Sequence, residues 1–319
     1  MHNIDKLFES VAEKGYVCIG LDTAAEYVPP LERQRAASNA DAVFEFNRAL
    51  IDSTLDIAAC YKVQIAYYEE MGMAGLSAYA KTLQYIRKKG ALVIGDIKRG
   101  DIADTALRYA RAHFAGEFEA DFVTLSPYMG MDSIEPWFEY ASSDSSGGSK
   151  GAFVLMRTSN KGMRDFEYLE TLPCNKRLYN RVGDKLSELA AKKAGTYGYG
   201  IFGAVVGCTE RDEAAEIRRA YTNLFFLIPG YGAQGGAADD AALLLRDGNG
   251  GVVNASRSIL KAWSAELKNT DADESKVTNI FAAEAARRAA LAMRDAIRTA
   301  VGYREQGTGS REQGAGNLE

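Results

Sequence analysis

The residues best suited to chemistry lie in one short string, Gly95–Thr105, which reads GDIKRGDIADT. Asp96 and Lys98 are two residues apart at the end of a strand-like run, so we expect their side chains on the same side of that strand. Asp101 follows after a glycine and opens the next helical stretch. Opposite charges packed this closely are costly unless they hold each other or a ligand. An isolated Asp-x-Lys would indicate only a solvated ion cluster that caps a helix, but the whole D-x-K-x-x-D-I-x-x-T string is far more specific.

The scarcity of histidine and the spacing of the cysteines leave little room for other chemistries. His2 lies at the terminus and His113 late in a helical stretch, which argues against a His-rich metal site and against a Ser-His-Asp or Cys-His triad. The four cysteines show no CxxC spacing, and three lie in or beside apolar runs, where we interpret them as small buried hydrophobes. We therefore expect the chemistry from Lys, Asp, Glu, Ser or Thr, with no metal ligands.

A second candidate site is rich in glycine. In the string IPGYGAQGG, the glycines Gly230, Gly232, Gly235 and Gly236 would let backbone N–H groups approach an anion. Arg257, in VVNASRSI after the next strand-like run, could donate a bidentate pair of hydrogen bonds to phosphate oxygens. A Gly-rich turn alone is weak support, but an arginine on the neighbouring loop makes a phosphate site a reasonable prediction.

The elements that must position these residues alternate along the chain. Short β-rich runs are followed by stretches with a 3.6-residue apolar period. The strand-like runs are Tyr16–Leu21, Ala59–Ile65, Ala91–Ile97, Asp121–Leu125, Ala152–Met156, Phe202–Val206, Leu224–Ile228 and Gly251–Asn254. The helical stretches include Asp41–Ala58, Gly75–Lys89, Ile102–His113, Lys176–Lys193, Glu210–Ala220, Ala237–Arg246 and, at the end, about Val277–Thr299. Eight strands alternating with helices predict an α/β protein with a single-domain (β/α)₈ TIM barrel, and an open doubly wound sheet is the alternative.

The 319 residues fit one such barrel with extended loops. We assign residues 1–302 to the barrel and 303–319 to a polar, Gly-rich tail, which we expect to be mobile. Surplus length lies in the segments Thr23–Asn39, Arg157–Asn175 and Lys261–Lys276, and a flexible Ser/Gly-rich connection is expected at Ser142–Gly151. Loops on the carboxyl side of the strands are where barrels keep their active sites.

Charge and hydropathy argue against two classes of partner. The chain has 38 Lys and Arg against 43 Asp and Glu, a formal net charge of −5, whereas a nucleic-acid binder would show a basic footprint. Apolar runs such as Leu224–Pro229 are far shorter than the ~20 residues that span a bilayer. The mixed charges of Met1–Ser10 do not resemble a signal peptide. We expect no nucleic-acid partner, no membrane contact and a cytoplasmic location.

The GDIKRGDIADT string resembles the active-site motif of the orotidine 5′-monophosphate decarboxylase family, and the resemblance covers nearly the whole barrel. It adds a lysine at the second strand and so implies a catalytic Lys-Asp-Lys-Asp tetrad formed by Lys62, Asp96, Lys98 and Asp101. The long first loop and the strings TSN and PGYGAQGG look most like the longer, second type of this family.

The resemblance also implies which residues contact the substrate. Residues that match ribose contacts are Asp22 and Thr105, those that match contacts near the pyrimidine are Gln64, Ile102 and Ser159, and those that match the phosphate grip are Gln234 and Arg257. The same loop strings add Thr158, Pro229, Gly230 and Asn254 to the expected substrate-binding set.

The implied reaction is loss of CO₂ from C6 of a pyrimidine nucleotide, which gives UMP without a cofactor. The carbanion has no π-system to delocalise it, so preorganised charge must stabilise it. We expect Lys98 to do this and then to protonate C6, while Asp96 and Asp101 flank the scissile carboxylate and hold the lysines.

The resemblance further implies a homodimer in which Asp101, Ile102 and Thr105 reach the partner's site. The sequence is compatible with this, because Gly100 would free the chain to leave the strand just after Lys98. A monomer, in which Asp101 turns back into its own site, is the alternative.

Two other functions stay open at the level of sequence. Relatives of this barrel share the D-x-K-x-x-D string but use Mg²⁺ with sugar phosphates, as 3-keto-gulonate 6-phosphate decarboxylase and hexulose phosphate synthase do; the TSN loop and the placement of Lys62 argue against them. A nucleotide-binding module without catalysis is the other alternative, but a pure binder has no need to crowd two carboxylates against an anionic ligand.

Overall fold

The computed structural model describes residues 1–142, 149–232, 236–268 and 273–312, and for 303–312 it describes the backbone alone. Part of the expected Ser/Gly-rich connection, the end of the tail and Gln234 therefore lie outside the described residues.

Within these ranges, eight parallel strands close into a barrel. The barrel strands are β1 Val17–Leu21, β2 Cys60–Gln64, β3 Val93–Arg99, β4 Phe122–Leu125, β5 Gly151–Arg157, β6 Phe202–Val206, β7 Phe226–Ile228 and β8 Gly251–Ala255. Each strand pairs with its neighbours in sequence, and β1 pairs with β8 to close the ring. The predicted (β/α)₈ barrel is confirmed, and the open doubly wound sheet is excluded.

Helices cover the outside of this barrel and carry the chain from one strand to the next. They are α1 Asn3–Lys14, α2 Pro30–Arg35, α3 Asn39–Thr54, α4 Ala66–Glu69, α5 Gly72–Lys88, α6 Ala103–Phe114, α7 Glu135–Ser142, α8 Leu178–Lys192, α9 Arg211–Ala220, α10 Ala238–Leu243, α11 Arg257–Leu260, α12 Ala262–Leu267 and α13 Asn279–Glu312. A short antiparallel hairpin pairs Glu170–Thr171 with Lys176–Arg177 inside the long loop after β5. Helix α13 continues past residue 302, so the predicted start of the tail is not marked by a change in secondary structure.

Helix α1 has no counterpart among the predicted helices, and it closes the amino-terminal end of the barrel. Its apolar residues Ile4, Leu7 and Val11 share one face and are buried. The backbone N–H of Asn3 donates to the carbonyl of Ser149, which lies just before β5. The end of the barrel opposite the carboxyl termini of the strands is thus covered.

Aromatic side chains fill the space between the strands. Phe122, Phe153 and Phe225 are fully buried, and the ring centroids of Phe122 and Phe153 lie 5.4 Å apart. Gly151 leaves room for these rings, because a Cβ there would come within 2.5 Å of the Phe122 ring. The barrel is a packed core rather than a pore, so a substrate can enter only at the open end. No helix in the described ranges is long and apolar enough to cross a membrane.

Candidate active site

A cavity of about 370 Å³ opens at the carboxyl ends of the barrel strands, the end where barrels carry their active sites. The predicted residues that line it are Asp22, Lys62, Gln64, Asp96, Lys98, Thr158, Ser159, Pro229, Gly230, Asn254 and Arg257. Three others, Asp101, Ile102 and Thr105, are not part of this lining. Gln234 is outside the described residues, so its position is not assigned.

The Asp96 carboxylate accepts four hydrogen bonds at the centre of the cavity floor. Its Oδ1 accepts from Lys98 Nζ at 2.6 Å and from Thr124 Oγ1 at 2.7 Å. Its Oδ2 accepts from Lys62 Nζ at 2.8 Å and from Gln64 Nε2 at 2.9 Å. A carboxylate has about four acceptor positions, so Asp96 is saturated and held in one orientation.

Charge pairing keeps these buried groups ionised. Burial alone would raise the pKa of Asp96, but Lys62 and Lys98 outweigh it and hold that pKa well below its ordinary range. Burial alone would lower the pKa of Lys62, but the carboxylates of Asp22 and Asp96 outweigh it and raise that pKa. The cavity therefore presents fixed charges, in contrast to groups that titrate near neutral pH.

The two lysines differ in exposure and in their partners. The Lys62 side chain is 6% exposed, and its Nζ lies 2.8 Å from both Asp22 Oδ1 and Asp96 Oδ2. The Lys98 side chain is 46% exposed and pairs with Asp96. An ammonium group has three donors, so Lys98 keeps donors available to a ligand in the cavity, whereas Lys62 is suited to holding the two carboxylates.

The backbone at Lys98 departs from a regular strand. Lys98 has a φ of 44°, in the left-handed region that non-glycine residues seldom adopt, and Ala103 has a φ of 49°. Gly100 is not among the residues with positive φ. β3 ends at Arg99, so the chain does leave the strand at Gly100, but the residue with left-handed backbone is Lys98, inside the strand.

The second aspartate of the string lies away from its own cavity. The Asp101 Oδ1 accepts a hydrogen bond of 2.8 Å from the backbone N–H of Ile102. Ile102 is 44% exposed, and Thr105, near the start of α6, is exposed as well. The chain thus gathers Lys62, Asp96 and Lys98 in one place and leaves Asp101 outside.

The Gly-rich loop behaves only partly as expected. Gly230 lines the cavity, but the N–H of Gly232 donates to the carbonyl of Gly236, and the N–H of Gly236 donates to that of Gly230. These two N–H groups are used inside the loop and are not free for an anion, so that part of the prediction was wrong. Glycine spacing alone does not reveal these backbone hydrogen bonds, and Gly235, the other predicted glycine, lies outside the described residues.

Arg257 is well placed to bind an anion. It begins the short helix α11 directly after β8, and it lines the cavity together with Ser256 and Ser258. Its side chain is exposed, and no carboxylate of the described residues lies within ion-pair distance of it. Barrels commonly bind phosphate at the loops after the seventh and eighth strands and at a short helix there.

The loop after β5 is fixed from two sides. The Glu167 carboxylate accepts from the backbone N–H of Thr158 at 2.8 Å and from its hydroxyl at 2.7 Å. Arg157 is fully buried, and its guanidinium donates to the carbonyl of Gly207 after β6. Ser159 is thereby presented to the cavity on a tethered loop.

Several lining residues were not predicted. Thr124, Tyr27 and Tyr67 line the cavity. Tyr67 also packs against the hydrophobic core, and the buried hydroxyl of the neighbouring Tyr68 accepts a hydrogen bond from Asn47. Nothing in the spacing of the sequence sets these residues apart, because their place depends on how neighbouring strands and loops meet.

Comparison with known proteins shows the family to which this cavity and barrel belong. Residues 15–268 match the model of the orotidine 5′-phosphate decarboxylase / HUMPS family. The chain belongs to the orotidine 5′-phosphate decarboxylase family. It is 57% identical to the orotidine 5′-phosphate decarboxylase of Clostridium kluyveri over 82% of this chain and 89% of that protein. It is 52% identical to that of Clostridium perfringens over 93% of this chain and 98% of that protein.

A solved structure of the family has the same architecture. The orotidine 5′-monophosphate decarboxylase of Leishmania donovani matches with a TM-score of 0.71 and 30% sequence identity, and the match covers 94% of this chain and 99% of that chain. The resemblance inferred from the GDIKRGDIADT string is therefore confirmed at the level of the family.

We predict that Lys62 contributes more to the stability of the fold than Lys98 does. Lys62→Met leaves two carboxylates facing each other with one cation fewer in a buried place, so the free energy of unfolding should fall by about 3–5 kcal/mol. Lys98→Met, a matched change at a half-exposed side chain, should cost about 1 kcal/mol or less. Denaturant unfolding followed by circular dichroism measures both, and an equal loss in the two variants would contradict this account of the site.

Proposed function

We propose that this chain converts orotidine 5′-monophosphate to UMP and CO₂ with Lys98 as the group that stabilises charge at C6 and then donates the proton. The observation that carries the proposal is the Lys98 ammonium, 2.6 Å from the ionised Asp96 and half exposed to the cavity. UMP is a pyrimidine nucleotide, so the reaction belongs to pyrimidine nucleotide synthesis, as membership of the family implies.

The reaction depends on electrostatic stabilisation of the electron pair at C6 rather than on a covalent bond between the substrate and the protein. The bond between C6 and the carboxylate carbon breaks, its electron pair stays on C6, and CO₂ leaves. A nearby ammonium group stabilises that pair because its position is fixed before the reaction begins. Lys98 then transfers a proton from Nζ to C6, which gives UMP, and regains a proton from water. Asp96 keeps the Lys98 ammonium in place until that step.

The cavity is better suited to cofactor-free catalysis than to a Mg²⁺-dependent sugar-phosphate reaction. A Mg²⁺ ion would need carboxylate oxygens that are open to it. Asp22 and Asp96 are both engaged by Lys62, and within the described ranges no group of three or more His, Cys, Asp or Glu side chains is placed to hold a metal ion. This supports the proposal over the first alternative, and the crowding of Asp96 between two lysines supports it over a module that only binds nucleotides.

The direct test follows the ultraviolet absorbance of orotidine 5′-monophosphate as it is consumed. The wild-type protein should remove it at the same rate with and without EDTA. Lys98→Ala should lower kcat by at least about 100-fold, because the proton donor is lost. Lys185→Ala, which removes an exposed lysine on α8 far from the cavity, is the matched control and should leave kcat unchanged.

The outcomes of this assay separate the candidates. Loss of activity in EDTA would favour the Mg²⁺-dependent alternative, and binding without turnover would favour the nucleotide-binding module. A Lys98→Ala variant that keeps more than about a tenth of the wild-type rate would rule out Lys98 as the main acid.

We further propose that Arg257 grips the substrate phosphate. Its exposed guanidinium beside Ser256 and Ser258 supports this assignment. We assign Gln234 to the same grip and Asp22 to the ribose. Binding energy from a phosphate remote from the reacting carbon can be used to organise the site.

Arg257→Ala should lower kcat/KM for orotidine 5′-monophosphate, because a charged pair of hydrogen bonds is lost. The loss should correspond to a rise of about 2–4 kcal/mol in the activation free energy. Orotidine, the same substrate without its phosphate, provides the control, because its much slower reaction should be almost indifferent to the change. An equal loss with both substrates would show that Arg257 acts elsewhere.

We also propose that the active form is a homodimer in which Asp101, Ile102 and Thr105 complete the partner's cavity. The position of these residues outside their own cavity supports it. So do exposed apolar side chains in the loops after β3, β4 and β5, namely Ile102 at 44%, Tyr128 at 82%, Met129 at 50% and Phe166 at 59% exposure, with the rings of Tyr128 and Phe166 in contact at 6.4 Å between centroids. Exposed apolar clusters of this kind are typical of protein interfaces.

Subunit exchange tests the shared site. Mixing Lys98→Ala with Asp101→Ala at equal concentration makes half of the dimers mixed, and each mixed dimer contains one site with both lesions and one with none. Roughly a quarter of all sites then regain wild-type composition. Exchange is confirmed by mass spectrometry, and a mixture no more active than the mean of the two variants would contradict the shared site.

We expect the protein to work in the cytoplasm. The four cysteines are free thiols, and Cys18, Cys60 and Cys208 are buried, as predicted, while Cys174 is exposed. Free thiols are typical of a reducing compartment. Localisation of a tagged protein in intact cells would test this.

A further inference from the structure

An irregularity in β3 lies opposite a single residue of β4. Gly95 pairs with Val123, and the next pair is Arg99 with Leu125. Three residues of β3 therefore face Thr124 alone, and two of those three are Asp96 and Lys98. A bulge of this kind interrupts the ladder of backbone hydrogen bonds and leaves N–H groups that need other acceptors.

The Thr124 hydroxyl meets that need. Its Oγ1 accepts hydrogen bonds of 3.0 Å from the backbone N–H of Ile97 and from that of Lys98. The same oxygen donates to Asp96 Oδ1 at 2.7 Å. A hydroxyl has one donor and two acceptor positions, so every hydrogen-bonding position of Thr124 is used within the protein.

These contacts hold a backbone that would not persist unaided. Lys98 has a φ of 44°, and a non-glycine residue in the left-handed region needs support from its surroundings. Thr124 is 1% exposed, so water does not replace its hydroxyl easily. The direction of the Lys98 side chain depends on this backbone turn, and the position of its Nζ depends also on Asp96.

We propose that Thr124 is a positioning residue of the decarboxylation: its hydroxyl locks the β3 bulge and the Asp96 carboxylate together, so that the Lys98 ammonium is fixed before substrate arrives. This inference rests on the proposed function. Thr124 acts through Asp96 and Lys98, because its hydroxyl has no hydrogen-bonding capacity left for the substrate.

The positioning role predicts which kinetic constant should change when the Thr124 hydroxyl is removed. A displaced Lys98 slows the chemical step, and errors of about 1 Å can cost about 100-fold in rate. Binding of the nucleotide depends on other groups, among them Arg257, so it should change little. The loss should therefore appear in kcat and hardly in KM.

The experiment compares Thr124→Val, which keeps the shape and removes the hydroxyl, with Thr124→Ser, which keeps the hydroxyl. In Thr124→Val, kcat for orotidine 5′-monophosphate should fall by about 10- to 100-fold, while KM and the Kd for UMP change by less than about threefold. Thr124→Ser should restore most of the rate. All rates are measured well below the melting temperature of each variant.

Thr82→Val is the matched control. Thr82 is also fully buried, its hydroxyl donates to the carbonyl of Ala78 within α5, and it is not one of the residues that line the cavity. Thr82→Val should lower the melting temperature without changing kcat, which separates a loss of stability from a loss of positioning. Should Thr124→Val not fold, Thr124→Ala removes the same hydroxyl and takes its place.

The results of these measurements either support the positioning role of Thr124 or overturn it. A slow hydroxyl-free variant with normal UMP binding and rescue by serine supports the proposal. A folded hydroxyl-free variant with the wild-type kcat, a serine variant as slow as valine, or a loss confined to KM would overturn it. If the wild-type protein itself does not consume orotidine 5′-monophosphate, the proposed function fails, and this result is distinct from any outcome among the Thr124 variants.

Discussion

The Asp96 carboxylate accepts hydrogen bonds from four side chains on three neighbouring strands, and the site is organised around it. Lys62 and Gln64 come from β2, Lys98 from β3 and Thr124 from β4. A buried carboxylate without such partners would be protonated or would destabilise the fold. Because all four donors are present, a negative charge is fixed at one point of the cavity floor, and each donor is fixed in turn by it.

The division of roles between the two lysines follows from this arrangement. Lys62 lies deeper and joins two carboxylates, so its charge is largely neutralised by its neighbours. Lys98 shares one carboxylate and faces the cavity, so its field reaches a bound ligand. The packed barrel below excludes water from one side, which strengthens that field. Across the cavity, Arg257 offers positive charge at the ends of the last strands, away from Lys62 and Lys98.

Much of this was accessible from sequence because it depends on local pattern. Alternating runs predicted each barrel strand to within a few residues, and strand ends in a barrel converge on one face whatever the loops do. Asp96 and Lys98 could therefore be placed on the same side of one strand end from the residues themselves, whereas Lys62 joined them only through the resemblance to the family. Helix α1 was not among the predicted helices, because nothing in its amphipathic sequence indicates that it covers the ends of the strands.

The barrel, the family and the pairing of Asp96 with Lys98 could be inferred from the residues alone, because strand periodicity and a long charged motif are properties of adjacent residues. Only the tertiary structure decided that Lys98 adopts a left-handed backbone, that Thr124 supports it, and that the N–H groups of Gly232 and Gly236 turn inward. Each of these depends on the register between two strands or on the closure of a loop. Such registers are set by packing between distant segments, which no local pattern of residues records.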